Sequence, residues 1–414
     1  MMRTGHQALT LFLFAAAVAG CGGSPGTEPT SVAVSAPAPV RVSPPPLPPL
    51  PEPCSFSLGE RQAVAAPGII NADVGANAES ALFAYQVQAA PRSQVIRARL
   101  LLGPTLGSEL LLSGEAGFHV LPRVLALPDR FLVAWNHQLA VAGEESDRHE
   151  VAEARWVFPD GTMSAVSELP FGSGSIRLAR VPSGIAAMYT TWESSGAGTA
   201  REVLMRQVLD LSLRPIGPPV ALLDAPHGGE DEVTLADGTT WVVAVSSGFK
   251  TSQWRAHLMR LDATGKVISA VKEIPMEQGY VARPALFDVG DGLLLTWLAD
   301  QEVGQPPVAA TVTKLSYSAE VLDGPRIVGS GGTRFNGGAL VVSGGAPALL
   351  FDGSQIVGLD RAGAPRGAPQ RLGPASAQQP FWIEREGSFA FAWVDGVERE
   401  VSLQVAPVTC TRAR

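Results

Sequence analysis

An apolar strand that recurs along the chain is the sequence feature that most constrains the fold. Its clearest copy is Arg130-Phe-Leu-Val-Ala-Trp-Asn-His-Gln138, in which small and large residues alternate up to a tryptophan. Six further segments share its apolar character and end in an aromatic or aliphatic residue: 81–85, 185–189, 241–245, 293–297, 348–351 and 389–393. A unit that recurs this often indicates one architecture built from similar units rather than several unrelated domains.

The spacing of these segments predicts the fold class. Their final residues are separated by steps of 50, 54, 56, 52, 54 and 42 residues, and these residues are Tyr85, Trp135, Tyr189, Val245, Trp297, Phe351 and Trp393. A period near fifty with about four strands per unit is typical of a β-propeller blade. No long segment shows helical periodicity. We therefore predict an all-β propeller with seven four-stranded blades, and six or eight blades remain as alternatives.

The second repeat shows how a blade is divided into strands A to D. Strands are predicted near 119–127, 131–137, 150–158 and 162–169, and Pro159-Asp160-Gly161 forms the turn between strands C and D. Asp-Gly is a strong hairpin signal because glycine and aspartate tolerate positive φ. The same turn is predicted at 263–265 and 361–363. The third repeat fits less well, since its segment 209–212 has no glycine.

The two ends of the repeat region are predicted to close the ring together. The last repeat supplies strands near 381–384, 389–393 and 401–405, and the segment 55–64 is predicted to add the missing outer strand. The chain has only three cysteines, at 21, 54 and 410. In an oxidising compartment Cys54 and Cys410 are expected to pair and to fasten the first strand to the last. Free thiols and metal ligation are the alternatives.

The first twenty residues read as an export signal rather than as part of the fold. Arg3 precedes an apolar stretch, 8–19, that is too short to span a bilayer. The following Val18-Ala19-Gly20-Cys21 resembles the lipobox of bacterial lipoproteins. This resemblance implies cleavage before Cys21 and acylation of Cys21, and the alternative is an ordinary secretory peptide. With no aspartate after Cys21, we expect anchoring in the outer membrane, on its periplasmic or surface side.

The predicted organisation therefore has three parts: a signal peptide at 1–20, a lipidated cysteine with a Pro-rich tether at 21–53, and a propeller domain at 54–414. The tether ends in a run of prolines, which favours extended polyproline II structure and cannot form a core. The repeats resemble propeller domains of bacterial surface lipoproteins. They lack the Gly-His and Trp-Asp pairs of WD40 repeats, the regular glycine pattern of kelch repeats and the Asp-boxes of sialidases.

Composition and motifs exclude several classes of function. The net charge of -8 argues against a nucleic-acid partner, which requires a basic face. The sequence contains no Gly-x-Ser-x-Gly elbow, no Walker-type phosphate loop and no His-Glu-x-x-His motif. We therefore assign no catalytic residue, no metal site and no cofactor from the sequence, and we expect a monomer.

Arginines near the starts of the A strands are the sharpest candidate ligand-binding residues. Arg123 and Arg177 each lie 12 residues before the final residue of their B strand, Arg283 lies 14 before and Arg334 lies 17 before. The other repeats have Asn71, Glu232 and Gln379 in this region. Because A strands line the channel of a propeller, the arginines are predicted to bind a carboxylate, phosphate or sulfated sugar. The alternative is that they pair with loop acids or face solvent.

Two further candidate groups lie near the predicted B–C loops, where function concentrates on rigid scaffolds. His137 and His149 flank Glu144, Glu145 and Asp147, whose donors suit a metal, although the spacing matches no standard site and a solvated loop is the alternative. Aromatic and basic residues near the loops are predicted to stack on a sugar or peptide, with strand-end packing as the alternative for the tryptophans: Trp192, Phe249, Lys250 and Trp254.

Two hypotheses of function follow. The first is a membrane-anchored cell-envelope lipoprotein that acts as a non-catalytic binding or scaffold module. Its loop face would recognise an envelope protein, a peptide or a polysaccharide. The second is a polysaccharide hydrolase or lyase that uses a carboxylate pair such as Glu230 and Asp231 beside a channel arginine. Fold alone does not decide between them.

Overall fold

The computed structural model describes residues 47–65, 68–90, 93–115, 117–139, 149–172, 174, 176–195, 199–224, 229–247, 254–269, 271–276, 281–302, 305–331, 339–343, 346–374, 376–386, 388–396 and 401–412. Within these ranges the chain forms strands and turns, and it contains no helix that is long and apolar enough to cross a membrane. The predicted signal peptide and the lipobox with Cys21 lie outside the described residues.

The strands form seven antiparallel blades, which confirms the predicted β-propeller fold. The first two strands, β1 (Cys54–Leu58) and β2 (Gln62–Ala65), belong to the last blade. Blades 1 and 2 share one nine-stranded sheet because a single parallel bridge joins Gln94 to Phe118. Blades 3 to 6 are separate sheets of four strands each.

The strands of blades 1 to 3 follow in chain order. Blade 1 contains β3 (Ile69–Ala76), β4 (Ser80–Ala90), β5 (Ser93–Leu102), β6 (Thr105–Leu106) and β7 (Leu110–Leu111). Blade 2 contains β8 (Phe118–Ala126), β9 (Phe131–Leu139), β10 (His149–Val157) and β11 (Ser167–Gly172). Blade 3 contains β12 (Ile176–Val181), β13 (Gly184–Ser195), β14 (Thr199–Leu209) and β15 (Val220–Asp224).

The remaining blades repeat this order. Blade 4 contains β16 (Glu230–Thr234), β17 (Thr240–Ser247), β18 (Trp254–Leu261) and β19 (Lys272–Pro275). Blade 5 contains β20 (Val281–Asp288), β21 (Leu293–Glu302), β22 (Gln305–Leu315) and β23 (Val321–Gly331). Blade 6 contains β24 (Ala339–Ser343), β25 (Ala346–Phe351), β26 (Gln355–Gly358) and β27 (Gln370–Arg371), and blade 7 adds β28 (Gln378–Arg385), β29 (Ser388–Asp395) and β30 (Ser402–Arg412).

Apolar side chains hold neighbouring blades together. Seven buried clusters each join two consecutive blades, and one of them joins blade 7 back to blade 1. The repeated B strands supply their centres, since Trp135, Trp297 and Trp393 are almost fully buried. The small residues that alternate with these aromatics let adjacent blades approach closely, so the repeat pattern in the sequence encodes packing between blades.

Both chain termini complete blade 7. Strand β1 pairs with β30, with Cys54 opposite Arg412 and Leu58 opposite Val408. A disulfide joins Cys54 to Cys410, whose Cα atoms are 5.1 Å apart, which confirms the predicted pairing. The N-terminal strands thereby cover the outer edge of β30, which would otherwise be a long unpaired edge.

The C–D turns share one conformation in blades 2 to 6. A positive-φ residue occupies the same turn position in each, namely Gly161, Leu213, Gly265, Ala319 and Gly363. The missing glycine in blade 3 therefore does not remove the turn, because Leu213 adopts φ 63° instead. The side chain of Leu213 is buried in the cluster between blades 2 and 3, and this packing offsets the cost of the left-handed conformation.

The blades have two different ends. We call the end with the A–B and C–D turns the turn face, and the end with the B–C connections the loop face. The last tether residues lie on the turn face. Arg361 and Arg366 donate hydrogen bonds to the carbonyl oxygens of Pro48 and Pro51 at 2.6 and 2.7 Å. Leu47 packs against the blade 5 A–B turn at Gly290.

Candidate functional site

A cavity of about 540 Å³ lies in the central channel. The inner A strands of six blades line it, through Asn71, Ala72, Asp73, Leu121, Arg123, Val124, Ile176, Arg177, Leu178, Gly229, Glu230, Asp231, Arg283, Pro284, Ala285, Gln379, Pro380 and Phe381. Most of these residues lie in the half of each A strand nearer the loop face, because an A strand begins where its B strand ends. The volume is within the usual range of small-molecule sites.

Three of the four predicted arginines meet in this cavity. Arg123, Arg177 and Arg283 all line it, and Arg334 lies outside the described residues. Asn71 and Gln379, predicted for the same region, also line it.

Glu232 does not line the cavity, and its predicted position there is wrong. Its buried carboxylate accepts a hydrogen bond from Arg206 Nε at 2.8 Å between blades 3 and 4. Neighbouring strand residues point to opposite faces, so a shift of one residue along β16 is enough to move Glu232 out of the cavity.

Strand register places charges of both signs at one level of the channel. In each of blades 1 to 4, the A-strand residue at this level lies opposite the B-strand residue that precedes Tyr85, Trp135, Tyr189 or Val245. These four A-strand residues are Asp73, Arg123, Arg177 and Glu230. At this level blade 5 carries Ala285, opposite Thr296. Arg283 lies two residues earlier, before Pro284 in a bulge, with φ 55°. Blade 2 has the same bulge, with Leu121 at φ 55° before Pro122, so the 14-residue spacing shows that Arg283 occupies the position of Leu121 rather than that of Arg123.

Each of these inner strands contacts the next one through a side chain. The contacts join blades 7, 1, 2, 3, 4 and 5 in this order. Gln379 Oε1 accepts from Ala72 N at 3.2 Å, and Asp73 accepts from Val124 N at 2.8 Å. Arg123 Nε donates to Ile176 O at 2.9 Å, Arg177 donates to Asp231, and Asp231 accepts from Leu286 N at 2.8 Å. These bonds use main-chain groups that the inner edge of each blade would otherwise leave unpaired. Arg177 therefore pairs with a strand acid rather than with the loop acids considered for it.

Burial controls the protonation of the cavity acids. Desolvation raises the pKa values of Asp73, Glu230 and Asp231. The attraction of Arg177, joined by Arg123 for Asp73 and Glu230, lowers these pKa values only in part. Burial alone would lower the pKa of Arg177, but the surrounding carboxylates, led by Asp231, raise it above its ordinary value. Arg177 keeps 45% of its side-chain surface accessible because it faces the open cavity. The cavity thus has a fixed positive charge beside acids that hold protons unusually well.

Glu230 and Asp231 do not act as a facing carboxylate pair. They are adjacent on β16, where consecutive side chains point to opposite faces. Asp231 accepts hydrogen bonds from Arg177, from Leu286 N and from Glu232 N, so its oxygens are engaged in holding the channel wall. Among the described cavity residues, Glu230 is the carboxyl of this pair that is left for a ligand.

His137 lies in a polar cluster inside blade 2. Its Nδ1 is 2.9 Å from Glu153 Oε1, and its ring stacks on that of His119 with centroids 4.1 Å apart. Trp135 Nε1 donates to Glu153 Oε2 at 2.8 Å. Burial raises the pKa of Glu153, but the hydrogen bonds from His119, His137 and Trp135 outweigh it and bring the pKa to about 2.

The sequence alone did not reveal this cluster. The four side chains share one blade face because His119 lies opposite His137 and Glu153 lies opposite Trp135 in the strand register. Two-residue periodicity places Trp135 and His137 on one face, but the partners on β8 and β10 emerge only from the pairing. The loop acids predicted near His137 lie outside the described residues, as does the side chain of His149.

The aromatic candidates near the loop face divide into two groups. Trp254 is only 8% exposed and belongs to the apolar cluster between blades 4 and 5, so its assignment as a ligand contact is wrong and the packing alternative is right. Trp192, at the loop-face end of β13, is 68% exposed. Phe249 and Lys250 lie outside the described residues.

Comparison with known proteins adds similarity of structure but not of sequence. No protein-family model and no curated protein matches the chain. A Trypanosoma rangeli sialidase in complex with sialic acid is similar, with 9% identity and a TM-score of 0.44, over 86% of this chain and 57% of the sialidase. A thermostable family-43 glycoside hydrolase has 12% identity and a TM-score of 0.39 over 69% of this chain and 100% of its own.

An endo-arabinase from Bacteroides thetaiotaomicron is 13% identical, with a TM-score of 0.36 over 63% of this chain and 97% of its own. This chain spans little more than half the length of the sialidase that it matches. At such identities and TM-scores, these similarities carry no argument about activity, and the site has to be judged by its own residues.

Proposed function

We propose that the protein is a lipid-anchored envelope binding module whose channel cavity takes an acidic saccharide, a ligand with several hydroxyls and a carboxylate. The observation that carries this proposal is the shared position of Arg123, Arg177 and Arg283 on the wall of one cavity. Guanidinium groups bind carboxylates by paired hydrogen bonds, and Asn71 and Gln379 bring amide groups that suit hydroxyls.

Arg123 and Arg177 have donors to spare for such a ligand. Within the described part of the chain, Arg123 uses Nε and one Nη nitrogen for main-chain carbonyls, and Arg177 uses one Nη nitrogen for Asp231. A guanidinium carries five N–H donors, so each arginine has further N–H groups available. Because Arg177 is held in place by Asp231, a ligand meets a preorganised group rather than a mobile side chain.

The anchor is proposed from the lipobox at Cys21. Acylation of Cys21 would hold the protein at the outer membrane. The tether joins the propeller on the turn face, where Arg361 and Arg366 bind Pro48 and Pro51. Labelling with a fatty-acid analogue tests the anchor, and a Cys21→Ser variant that still takes up the label would contradict it.

Calorimetry with a panel of uronic and other sugar acids tests the cavity. Loss of a charge-assisted hydrogen bond, of about 1.5–3 kcal/mol, predicts roughly 10- to 150-fold weaker binding for Arg123→Gln. Arg201→Gln is the matched control, because Arg201 forms an exposed ion pair with Asp224 away from the channel. Equal affinities of the two variants, or no acid bound by the unmodified protein, would count against the proposal.

A hydrolase or lyase is the second candidate, and Glu230 is the observation that favours it. A cavity carboxyl whose burial raises its pKa is suited to donate a proton to a leaving group. The hypothesis now rests on Glu230 alone, since Asp231 is engaged in the channel wall. If the protein cleaves an acidic glycan, Glu230→Gln should abolish cleavage of the glycan but should still bind it. If the wild-type protein binds the glycan but does not cleave it, the first proposal is favoured.

A further inference from the structure

We infer that His119, His137 and Glu153 form a binding site for a divalent transition-metal ion such as Zn²⁺ in blade 2. Three strands supply the three donors: β8 carries His119, β9 carries His137 and β10 carries Glu153. The site is separate from the channel cavity, whose lining includes none of the three residues.

The spacing of the donor atoms fits one ion. One ligand atom from each residue can be chosen so that all three lie within 4.8 Å of one another. His137 Nδ1 is 2.9 Å from Glu153 Oε1, and His119 Nδ1 is 3.5 Å from Glu153 Oε2. Zinc bonds to nitrogen and oxygen of about 2.0–2.1 Å in tetrahedral geometry place neighbouring ligand atoms about 3.3 Å apart. The two observed separations lie on either side of this value, and they end on different oxygens of Glu153, so the carboxylate presents one oxygen to each imidazole.

The fold holds the two imidazoles in place before any ion binds. His119 is only 2% exposed, lies directly opposite His137 in the strand register and stacks on its ring. Gly117 leaves room for both rings, because a Cβ atom at this position would lie 2.9 Å from His137 Nε2 and 3.6 Å from His119 Nε2. A preorganised pair of this kind costs little conformational entropy when it binds a ligand.

Trp135 supplies the outer contact that metal-binding carboxylates usually have. Its indole N–H donates to Glu153 Oε2 at 2.8 Å and to His119 Nδ1 at 3.2 Å, so that Oε1 is turned toward His137. An ion bound at His119 Nδ1 would replace the longer of these two bonds and leave the bond to Glu153 in place. Trp297 and Trp393 occupy the same repeat position in blades 5 and 7, yet among the described residues their buried indole N–H groups have no partner. Among the described residues, blades 5 and 7 therefore fold without such a polar cluster, and it is not a requirement of the propeller scaffold.

The donor set also indicates the class of ion. Two imidazole nitrogens and one carboxylate suit Zn²⁺, Co²⁺, Ni²⁺ or Cu²⁺, whereas Mg²⁺ and Ca²⁺ prefer oxygen ligands throughout. Three protein ligands leave at least one coordination position for water or for an atom of a bound molecule. Any such molecule would approach from the loop face, because His119 lies near the start of β8 and His137 near the end of β9, and both of these strand ends are at the loop face.

Metal titration of the full-length protein tests the site. After treatment with a chelator, the protein should take up one Co²⁺ or Zn²⁺ per chain, and Co²⁺ should give visible absorption bands of a nitrogen-liganded ion. Mg²⁺ should not compete. His119→Gln, His137→Gln and Glu153→Gln should each weaken binding at least about 100-fold, beyond the usual 10- to 100-fold effect of outer contacts.

His257→Gln is the matched control. His257 lies on the C strand of blade 4, bonds to the Ser246 hydroxyl at 2.7 Å and is 3.9 Å from Glu273, but it does not belong to the blade 2 cluster. This variant should keep full metal binding. Failure of the unmodified protein to bind Co²⁺ or Zn²⁺ stoichiometrically would overturn the inference, as would equal loss in His257→Gln and His137→Gln.

A measurement on the wild-type protein does not depend on variants that fold poorly. Histidine modification by diethylpyrocarbonate, mapped by mass spectrometry, should reach the partly exposed His137 in the metal-free protein. Zn²⁺ should suppress modification of His137 and leave that of His257 unchanged. Modification of His137 at the same rate with and without saturating Zn²⁺ would also overturn the inference.

Discussion

The turn face and the loop face of this propeller are built by different rules. On the turn face, four blades repeat the same C–D turn, in which an Asp or Ser oxygen accepts main-chain N–H bonds two and four residues ahead; these residues are Asp210, Asp262, Ser316 and Asp360. On the loop face, the B–C connections range from the two residues 91–92 to the nine residues 140–148. Repetition therefore marks scaffold, and departures from it mark the places where function can be sought.

The same contrast holds inside the blades. Trp135 and Trp297 fill equivalent positions between blades and are both buried. Blade 2 surrounds its tryptophan with His119, His137 and Glu153, whereas blade 5 leaves the Trp297 N–H without a partner among the described residues. Trp135 is thus both part of the repeated packing and part of a feature that the repeat does not require.

The largest effect on stability is expected where the ring is fastened, at the turn-face end of blade 7. Replacing both Cys54 and Cys410 by Ser removes a cross-link between residues 356 apart in sequence. The chain-entropy model gives an upper bound of about 5–6 kcal/mol for this loop, so unfolding should occur at much lower denaturant concentration. Urea titration measures it, and the reduced unmodified protein is the control. A double variant as stable as the oxidised protein would show that packing between blades 7 and 1 suffices to close the ring.

A smaller effect is expected on the loop side, and two adjacent residues allow a sharp comparison. Asp231→Ala should destabilise the protein by about 2–3 kcal/mol, because it leaves Arg177 and the buried Leu286 N–H without their acceptor. Glu230→Gln should leave stability unchanged or improve it at neutral pH, because it removes a carboxylate that burial disfavours. Denaturant unfolding compares the two. Equal losses would mean that Glu230 is as structural as Asp231.

Much of the architecture could be predicted from sequence because it is repeated. The final B-strand residues such as Trp297 recur at similar intervals of 42 to 56 residues, and the 12-residue spacing of Arg123 and Arg177 from their own B-strand residues placed both in one layer. Asp73 belongs to the same layer and has the same 12-residue spacing from Tyr85, but the sequence prediction followed arginines and chose Asn71 for blade 1.

The other misses have equally local causes. Cross-strand partners such as His119 and Glu153 are far apart in the chain, so only the pairing of strands brings them together. The positive φ of Leu213 escaped prediction because turn chemistry favours glycine there, while burial of the leucine side chain decides the outcome. The burial of Trp254 likewise depends on the neighbouring blade, which no local pattern encodes.

The pH dependence of stability offers a finer test of the cavity acids. A carboxyl whose folded pKa is raised contributes stability that is fully present below its unfolded pKa, near 4.5 for Glu230, and is lost as pH rises through the folded value. Stability contributed by Glu230 should therefore fall from acidic to neutral pH. In Glu230→Gln this fall in stability should be smaller. It should not disappear, because burial also raises the pKa values of Asp73 and Asp231. Urea midpoints measured between about pH 4 and pH 7 check it; parallel profiles would contradict a raised pKa at Glu230.

The smallest effects should come from single turns of the turn face, because each is one of several similar copies. Asp360→Ala removes an acceptor for the N–H groups of Ala362 and Ala364, at 2.9 and 2.7 Å, and should cost about 1 kcal/mol. Asp210→Ala removes the same contacts in blade 3, to Ser212 and Arg214, and should cost a similar amount. Urea unfolding of the two single variants and the double variant measures both. The losses should add, because the two turns lie in non-adjacent blades with no shared partner. A double variant far less stable than the sum would show that the turn face acts as one cooperative unit rather than as independent copies.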